Sequence, residues 1–212
     1  MLFIKNNNDD VVFRRRKSRF NKRLIKSIIF LIFSVIVLSV VLMISTFAKK
    51  AYIDAVYPRH YENLVSKYAK QNDLPEYFVY AIIKCESGFD PDAVSNIGAR
   101  GLMQITEDTF DWIQFRMDDD KEKHIVYDDM FDPETNIKYA TFLIRHHLDE
   151  FGNIDAAICA YHAGRGSVNS WLENSSYSQD GVTISHVPFD DTRDYLEKVN
   201  KTSEVYEKLY YQ

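Results

Sequence analysis

The stretch 74–88, LPEYFVYAIIKCESG, predicts a buried helix around which the rest of the chain folds. Pro75 suits the first helical position, where its missing N–H is no loss, and Gly88 suits the left-handed residue that often follows a helix. Lys84 is the only charged residue within 77–85. A helix that is apolar on nearly every face runs through a core and not over its surface.

Glu86 lies at the end of this predicted helix and is a candidate general acid. Three aliphatic residues share its face at helical spacing: Val79, Ile82 and Ile83. Burial and the exposed carbonyls of a helix C-terminus both disfavour a carboxylate anion, so both should raise the pKa of Glu86. General-acid cleavage of a glycosidic bond requires a carboxyl group that is protonated near neutral pH. The alternative is an ordinary helix-end glutamate that is solvated or paired with Lys84 or Arg100.

The remainder of the chain predicts further helices and no strand. Apolar residues recur at helical spacing near 57–72, 106–113, 132–151, 154–163 and 190–209, and a shorter helix is predicted at 167–173. The alanine-rich helix at 154–163 should pack against the helix that carries Glu86, because small side chains allow close approach. A charged loop is predicted at 118–124. The chain after residue 57 therefore predicts an all-α fold.

A long apolar segment at 27–48 predicts a membrane anchor. Its 22 residues carry no formal charge and would span about 33 Å as a helix, which is enough to cross a bilayer. Eight Lys or Arg residues lie from Arg14 to Lys26, whereas only Lys49 and Lys50 follow the segment directly. The positive-inside rule then keeps the N-terminus in the cytoplasm. A cleaved signal peptide is the alternative, although the segment exceeds the usual signal core of about 7 to 15 residues.

The anchor divides the chain into four predicted parts. They are a basic cytoplasmic tail at 1–26, a transmembrane helix at 27–48, a tether at 49–56 and an external domain at 57–212. The protein is expected in the cell membrane with a single pass. The part after residue 50 contains 15 Lys and Arg residues and 29 Asp and Glu residues, so its net charge is near −14. Such an acidic domain is a poor candidate for binding nucleic acid.

Two cysteines could form a disulfide, and two adjacent histidines could bind a metal. Cys85 and Cys159 lie in the exported part, where a disulfide is permitted, but each also lies in an apolar helix, where a buried free thiol is ordinary. His146 and His147 would point about 100° apart on a helix, so they should not chelate one ion as an i, i+4 pair would. No metal or other cofactor is expected.

Several stretches together resemble the successive motifs of the soluble lytic transglycosylase (SLT) family. They are ES at 86–87, SNIGARGLMQ at 95–104, AYHAG at 160–164, TRDY at 192–195, and FDPETNI at 131–137 between the second and third motifs. Each alone is weak evidence, but the ordered set covers roughly 57–210 and is specific. The resemblance implies a goose-type lysozyme-like α domain after the transmembrane helix.

The resemblance also implies a reaction, namely cleavage of the bond between N-acetylmuramic acid and N-acetylglucosamine in peptidoglycan. In that family one glutamate, matched here by Glu86, protonates the leaving oxygen. It then takes the proton of the muramoyl C6 hydroxyl as that oxygen attacks C1, and a 1,6-anhydro sugar results. The substrate's N-acetyl oxygen supports the cationic centre, so no second carboxylate is needed. By position, Tyr161 is the residue that orients Glu86.

The same motifs imply substrate contacts from the residues around this pair: Ser87, Ser95, Met103, Gln104 and His162. His162 is a departure, because the third motif usually has Asn after the tyrosine. A histidine still donates and accepts hydrogen bonds, so we expect an altered substrate contact or pH response and not loss of activity.

Two other functions are compatible with the same sequence. A muramidase on this fold would use water in place of the C6 hydroxyl, with Asp90 or Asp108 as the base, because ordinary hydrolysis typically uses two carboxylates. A weakly active scaffold within a cell-wall machine would have other proteins of that machine as partners. His162 is the only hint of this second alternative.

Overall fold

The computed structural model describes the backbone of residues 7–117 and 125–212, and the side chains from residue 22 onward within those ranges. Its described elements are helices, and the only β pairing among these residues consists of isolated bridges from Arg100 to Val94 and Ile105. The predicted all-α fold is confirmed. The charged loop predicted at 118–124 lies outside the described residues.

Eight α-helices and one short 3₁₀ helix make up the described part of the chain. They are α1 Asn7–Val56, α2 Glu62–Gln71, α3 Glu76–Glu86, α4 Glu107–Met117, a 3₁₀ helix Tyr127–Phe131, α5 Pro133–Phe151, α6 Ile154–Ala163, α7 Arg165–Leu172 and α8 Asp190–Tyr210. The chain divides into two compact units, one ending at Pro58 and the other beginning at Arg59.

The first unit contains α1, which runs without a break through the described part of the predicted tail, the membrane segment and the tether. Its stretch Lys22–Val56 is long and apolar enough to cross a membrane, and the apolar side chains of 27–48 are exposed. The tether predicted at 49–56 is therefore helical, because no glycine or proline interrupts it. The helix ends shortly before Pro58, since a proline disfavours the helical conformation of the preceding residue.

The second unit is built around α3, whose residues 78–83 are all buried. Its main neighbour is α8, and α2 also packs on it. The Tyr206 ring of α8 stacks on Tyr80 of α3, with 5.5 Å between ring centroids. The sequence predicted α3 as the partner of α6, but the main neighbours of α6 are α5, α7 and α8. The tyrosine-bearing face of α8 lies beside α3, and the small residues Ala156, Cys159 and Ala160 of α6 pack in a cluster with Val168 and Trp171 of α7.

Helix α5 begins and ends at the residues that the sequence indicates. The Asp132 side chain accepts a hydrogen bond from the Thr135 N–H at 2.8 Å, and Pro133 opens the helix. Gly152 ends it in the left-handed conformation, with φ at 61°. These ends fix which side chains α5 presents to the loop that follows α3.

Both cysteines are free thiols, so the disulfide alternative is not the one found. Cys159 is buried in a cluster that joins α6 to α7 and includes Trp171. The Cys85 sulfur lies 3.7 Å from the Thr202 hydroxyl oxygen on α8. Cys159 therefore belongs to the core, and Cys85 is half-buried beside α8.

Candidate active site

Glu86 is the last residue of α3, and its side chain is partly buried. Burial raises the pKa of its carboxyl group to about 7, and a hydrogen bond from Tyr195 and the charge of Lys198 oppose that rise. The protonated form is therefore well populated near neutral pH. A carboxyl group in this state can both give and take a proton.

Tyr195 holds this carboxyl group from α8. Its hydroxyl donates a hydrogen bond to Glu86 Oε1 at 2.5 Å. Tyr195 is 8% exposed, and burial together with the Glu86 charge raises its pKa well above the ordinary value, so the phenol keeps its proton. One turn further along α8, Lys198 Nζ donates to the Cys85 carbonyl at 2.9 Å. Helix α8 thus fixes both the acid and the end of the helix that carries it.

Tyr161 does not make the hydrogen bond to Glu86 that its predicted role requires. Its hydroxyl donates to the Met103 carbonyl at 2.6 Å, and the bond to the carboxyl group comes from Tyr195. Tyr161 is still close to the acid: burial raises its pKa well above the ordinary value, and the Glu86 charge adds to that rise. Two phenols therefore lie near the carboxyl group, one bonded to it and the other bonded to the loop before α4.

Ser87 links the end of α3 to the same loop. Its hydroxyl donates to the Leu102 carbonyl at 2.8 Å and accepts from the Phe89 N–H at 3.1 Å. These bonds hold Glu86 beside residues 101–104. Contact between Ser87 and a substrate stays a prediction. The hydrogen bonds that Ser87 makes in this structure hold the loop against the end of α3.

The other predicted substrate residues of the loop are also engaged internally. Ser95 Oγ accepts a backbone N–H at 3.0 Å, and the Gln104 side-chain amide donates to two loop carbonyls at 3.0 and 2.9 Å. Met103 is 0% exposed, so its side chain offers a sugar no surface in this structure. A substrate contact from Met103 stays a prediction, and in this structure its carbonyl accepts the hydrogen bond from Tyr161.

Asn136, a fully buried residue of α5, holds this loop in place. Its Oδ1 accepts from the Met103 N–H at 2.8 Å, and its Nδ2 donates to the Met130 carbonyl at 2.8 Å and the Arg100 carbonyl at 3.0 Å. Gly101 lies against this amide with φ at 77°, and a Cβ there would be 2.0 Å from the Met130 oxygen. Only glycine fits this position.

His162 contacts the tyrosine that holds the acid. Its ring stacks on Tyr195 with 4.4 Å between centroids and 16° between planes, and its Nε2 lies 3.9 Å from Asp191 Oδ2. Burial lowers the pKa of His162, and the Asp191 charge partly offsets this. His162 can therefore influence Glu86 through Tyr195, and its contact with substrate stays a prediction.

Sequence reasoning assigned no role to Tyr195 or Asn136, although the structure places both at the centre of the site. A signal was present for each, since TRDY ends in Tyr195 and FDPETNI contains Asn136. Motif resemblance marked those stretches, but which polar atoms meet depends on how α5 and α8 pack.

A cavity of about 340 Å³ lies beside Tyr161. Its lining residues are Asp108, Thr109, Trp112, Leu143, His147, Ala160, Tyr161, Gly164 and Arg165. On α5, His147 joins His146 and Glu150 in a group whose donor atoms all lie within 4.8 Å of one another. The donor nitrogens of the two histidines are therefore closer together than the 100° turn between adjacent helical residues suggested.

Comparison with known proteins agrees with the motifs. The family model for the transglycosylase SLT domain matches residues 63–183. The chain is 32% identical over 152 residues to the soluble lytic murein transglycosylase of Salmonella typhimurium, covering 70% of this chain and 23% of that protein. It is 31% identical over 170 residues to the membrane-bound lytic murein transglycosylase C of Actinobacillus pleuropneumoniae, covering 70% and 46% of the two chains.

Solved structures show the same similarity. The 70-kDa soluble lytic transglycosylase of Escherichia coli matches with a TM-score of 0.64 at 28% identity, over 77% of this chain and 27% of that one. The lytic transglycosylase Slt of Pseudomonas aeruginosa matches with a TM-score of 0.62 at 26% identity, over 74% and 25%. The chain thus spans about a quarter of the length of the soluble relatives.

Proposed function

The chain belongs to the transglycosylase SLT family, and on this premise we propose that it is a peptidoglycan lytic transglycosylase. The proposed substrate bond is the β-1,4 linkage between N-acetylmuramic acid and N-acetylglucosamine. The proposed product is a glycan strand with a 1,6-anhydro end, formed without water.

Glu86 carries both proton transfers in this proposal. First, the protonated carboxyl group gives its proton to the glycosidic oxygen as the bond from that oxygen to C1 breaks. The N-acetyl oxygen of the same sugar supports the cationic centre. The carboxylate then takes the proton of the C6 hydroxyl as that oxygen bonds to C1, which returns Glu86 to its starting state. Tyr195 orients the group, since its O–H donates to a carboxyl oxygen.

The observation that carries the proposal is the partly buried Glu86 carboxyl group at the end of α3, which accepts a hydrogen bond from the Tyr195 hydroxyl at 2.5 Å. Burial raises its pKa to about 7, and among the described residues no other carboxylate contributes to that shift. Ordinary glycoside hydrolysis typically uses two carboxylates. Asp90 is engaged as a turn former, because its Oδ1 accepts from the Asp92 N–H at 3.0 Å. Asp108 lines the cavity beside Tyr161 and is the remaining candidate for the base of a hydrolytic mechanism.

The test is a product assay with the full chain in detergent and purified peptidoglycan. Mass spectrometry separates anhydromuropeptides from hydrolysis products, which are heavier by one water. We expect anhydro products from the wild type and almost none from Glu86→Gln. Products with reducing ends alone would identify a muramidase. A folded protein that releases no product would favour a scaffold of a cell-wall machine, and either result would overturn the proposal.

For the location, we propose a single-pass membrane protein with the N-terminus in the cytoplasm and the SLT domain outside. The exposed apolar side chains of 27–48 and the basic residues before them support this topology. Protease added to intact spheroplasts should remove the domain from Arg59 onward and leave an N-terminal epitope protected. A mature chain that lacks its first 48 or so residues by mass would instead identify a cleaved signal peptide.

A further inference from the structure

Two imidazoles on α5 have buried ring nitrogens without a hydrogen-bond partner in the described structure. They are Nδ1 of His146 and Nδ1 of His147. His147 is 4% exposed, so solvent has little access to satisfy it. Buried polar groups in native proteins are normally paired, and an unpaired one indicates a strained site or a partner such as an ion.

Glu150 brings a carboxylate to the same place from the next turn of α5. Its Oε2 lies 3.8 Å from His146 Nδ1, and the donor atoms of all three residues lie within 4.8 Å of one another. Two ligands of a tetrahedral Zn²⁺ ion are roughly 3.4 Å apart when each bond is about 2.0–2.2 Å. Side-chain shifts of about 1 Å would therefore complete the geometry.

Two imidazoles and a carboxylate form a donor set that Zn²⁺ uses in proteins. We propose that His146, His147 and Glu150 bind one divalent transition-metal ion of the zinc class, with water in the remaining position. Ligation of a metal requires the neutral form of imidazole, so binding should release any proton that these rings hold. The site is independent of the proposed reaction, since none of the three residues contributes to it.

Residues of α7 orient the carboxylate. Arg165 Nε lies 2.7 and 2.6 Å from the two Glu150 oxygens, and Asn169 Nδ2 lies 3.2 Å from Oε1. A carboxylate offers about four acceptor positions, so Oε2 retains capacity for a metal. Outer contacts of this kind fix the orientation of a metal ligand. The Arg165 cation also repels the ion, which favours a site of moderate affinity.

Trp112 provides a built-in reporter of this site. Its indole packs edge-on against the His146 ring, with 4.8 Å between centroids, and it shares the 340 Å³ cavity with His147. A paramagnetic ion bound at His146 should quench its fluorescence. Trp171 is buried in the cluster between α6 and α7, so Trp112→Phe separates the two indole signals.

The test uses the full chain in detergent, without a histidine tag and after treatment with a chelator. Calorimetry measures Zn²⁺ binding, and Ni²⁺ is titrated against tryptophan fluorescence with Zn²⁺ as competitor. We expect His147→Leu and Glu150→Gln each to weaken Zn²⁺ binding at least about tenfold. His186→Ala, which removes an exposed histidine outside the cluster, should leave the affinity unchanged. Trp112→Phe should remove most of the quenching and leave the calorimetry unchanged.

Equal Zn²⁺ affinity in the wild type and His147→Leu would overturn the proposal, because the ion would then lie elsewhere. The absence of saturable binding to the wild type would overturn it as well. Leucine fills the buried position with an apolar side chain of similar size to histidine. Circular dichroism checks that the variant is folded. Glu150 lies outside the core, so Glu150→Gln tests the same metal site without disturbing the core packing.

Discussion

Tyr195 and Glu86 are 109 residues apart in sequence, and the hydroxyl of the first donates to Oε1 of the second at 2.5 Å. The donor lies on α8 and the acceptor ends α3, so the packing of these two helices sets the position of the candidate acid. His162 stacks on the same tyrosine from α6. Substitutions on three helices are therefore expected to act on a single carboxyl group.

Replacing Glu86 with glutamine tests the acid directly. Glutamine has nearly the same shape and can accept the Tyr195 hydrogen bond, but it cannot supply a proton. Turnover should fall about 10²- to 10⁴-fold, the usual contribution of general acid–base catalysis. The rate of anhydromuropeptide release measures this, with helix content by circular dichroism as the control. Near wild-type turnover in Glu86→Gln would remove Glu86 from the mechanism.

The same substitution should make the folded protein more stable at alkaline pH. The pKa of Glu86 is about 7 in the folded state against an ordinary 4.5, so the folded state binds this proton more tightly than the unfolded chain does. As the pH rises from 4.5 through 7, the unfolded chain ionises first, and the folded state loses on the order of 3 kcal/mol relative to it. Glutamine has no such loss.

Thermal melts of the full chain in detergent measure this effect. The melting temperature of Glu86→Gln should match that of the wild type near pH 4 and exceed it near pH 8. Wild-type activity should decline only as the pH rises through about 7, because the first step needs the acid protonated in the folded protein. A stability difference that does not change between the two pH values would show that the Glu86 pKa is not raised.

Tyr195→Phe removes the hydroxyl and keeps the ring that His162 stacks on. Because the Tyr195 hydrogen bond lowers the pKa of Glu86, its loss should raise that pKa and move the alkaline limb of the pH–rate profile upward. Turnover should also fall about tenfold, a typical effect of losing one hydrogen bond to a charged group.

Tyr161→Phe is the matched control for this prediction. It removes the bond to the Met103 carbonyl and leaves the bond to Glu86 intact. Turnover should fall because the loop is held less firmly, but the alkaline limb should keep its position. A shift of that limb in Tyr161→Phe and not in Tyr195→Phe would restore the role that the motifs gave to Tyr161.

Local features of this fold could be predicted from the sequence because local forces determine them. The helical period of apolar residues, the Asp132 cap and the Gly152 terminus define α5 without reference to the rest of the chain. The direction of the Glu86 pKa shift could be predicted as well, because an apolar helix is expected to be buried and burial disfavours a carboxylate.

The partners of these elements could not be predicted in the same way. An apolar helix such as α3 can pack against several neighbours, and the choice of α8 over α6 depends on how all the side chains fill the core together. The bond from Tyr195 follows from that choice. The roles of residues near the acid could not be predicted either. Ser87 and Gln104 have side chains suited to binding a sugar, yet both bond to the loop, and the Met103 side chain is buried.

Gly101→Ala should unfold or strongly destabilise the loop beside the acid. The added Cβ would lie 2.0 Å from the Met130 carbonyl oxygen and 2.4 Å from Asn136 Nδ2, at a φ of 77° that alanine disfavours. We expect a loss of about 2–5 kcal/mol, from overpacking and backbone strain together, with a matching fall in melting temperature. Gly98→Ala is the control, since its φ is 82° but no atom lies within 4 Å of the added Cβ. Equal effects at the two glycines would contradict the close approach at Gly101.

His162 should act mainly through its stack on Tyr195. His162→Ala removes a stacked ring pair, which is worth about 0.5–1.5 kcal/mol, so kcat should fall about 2- to 10-fold. His162→Phe keeps an aromatic ring there and should retain most of the wild-type kcat. If both variants instead lose activity equally and raise KM, the imidazole nitrogens must contact the substrate. Steady-state assays on soluble glycan fragments distinguish the two results, because a loss of orientation at Tyr195 lowers kcat and a lost sugar contact raises KM.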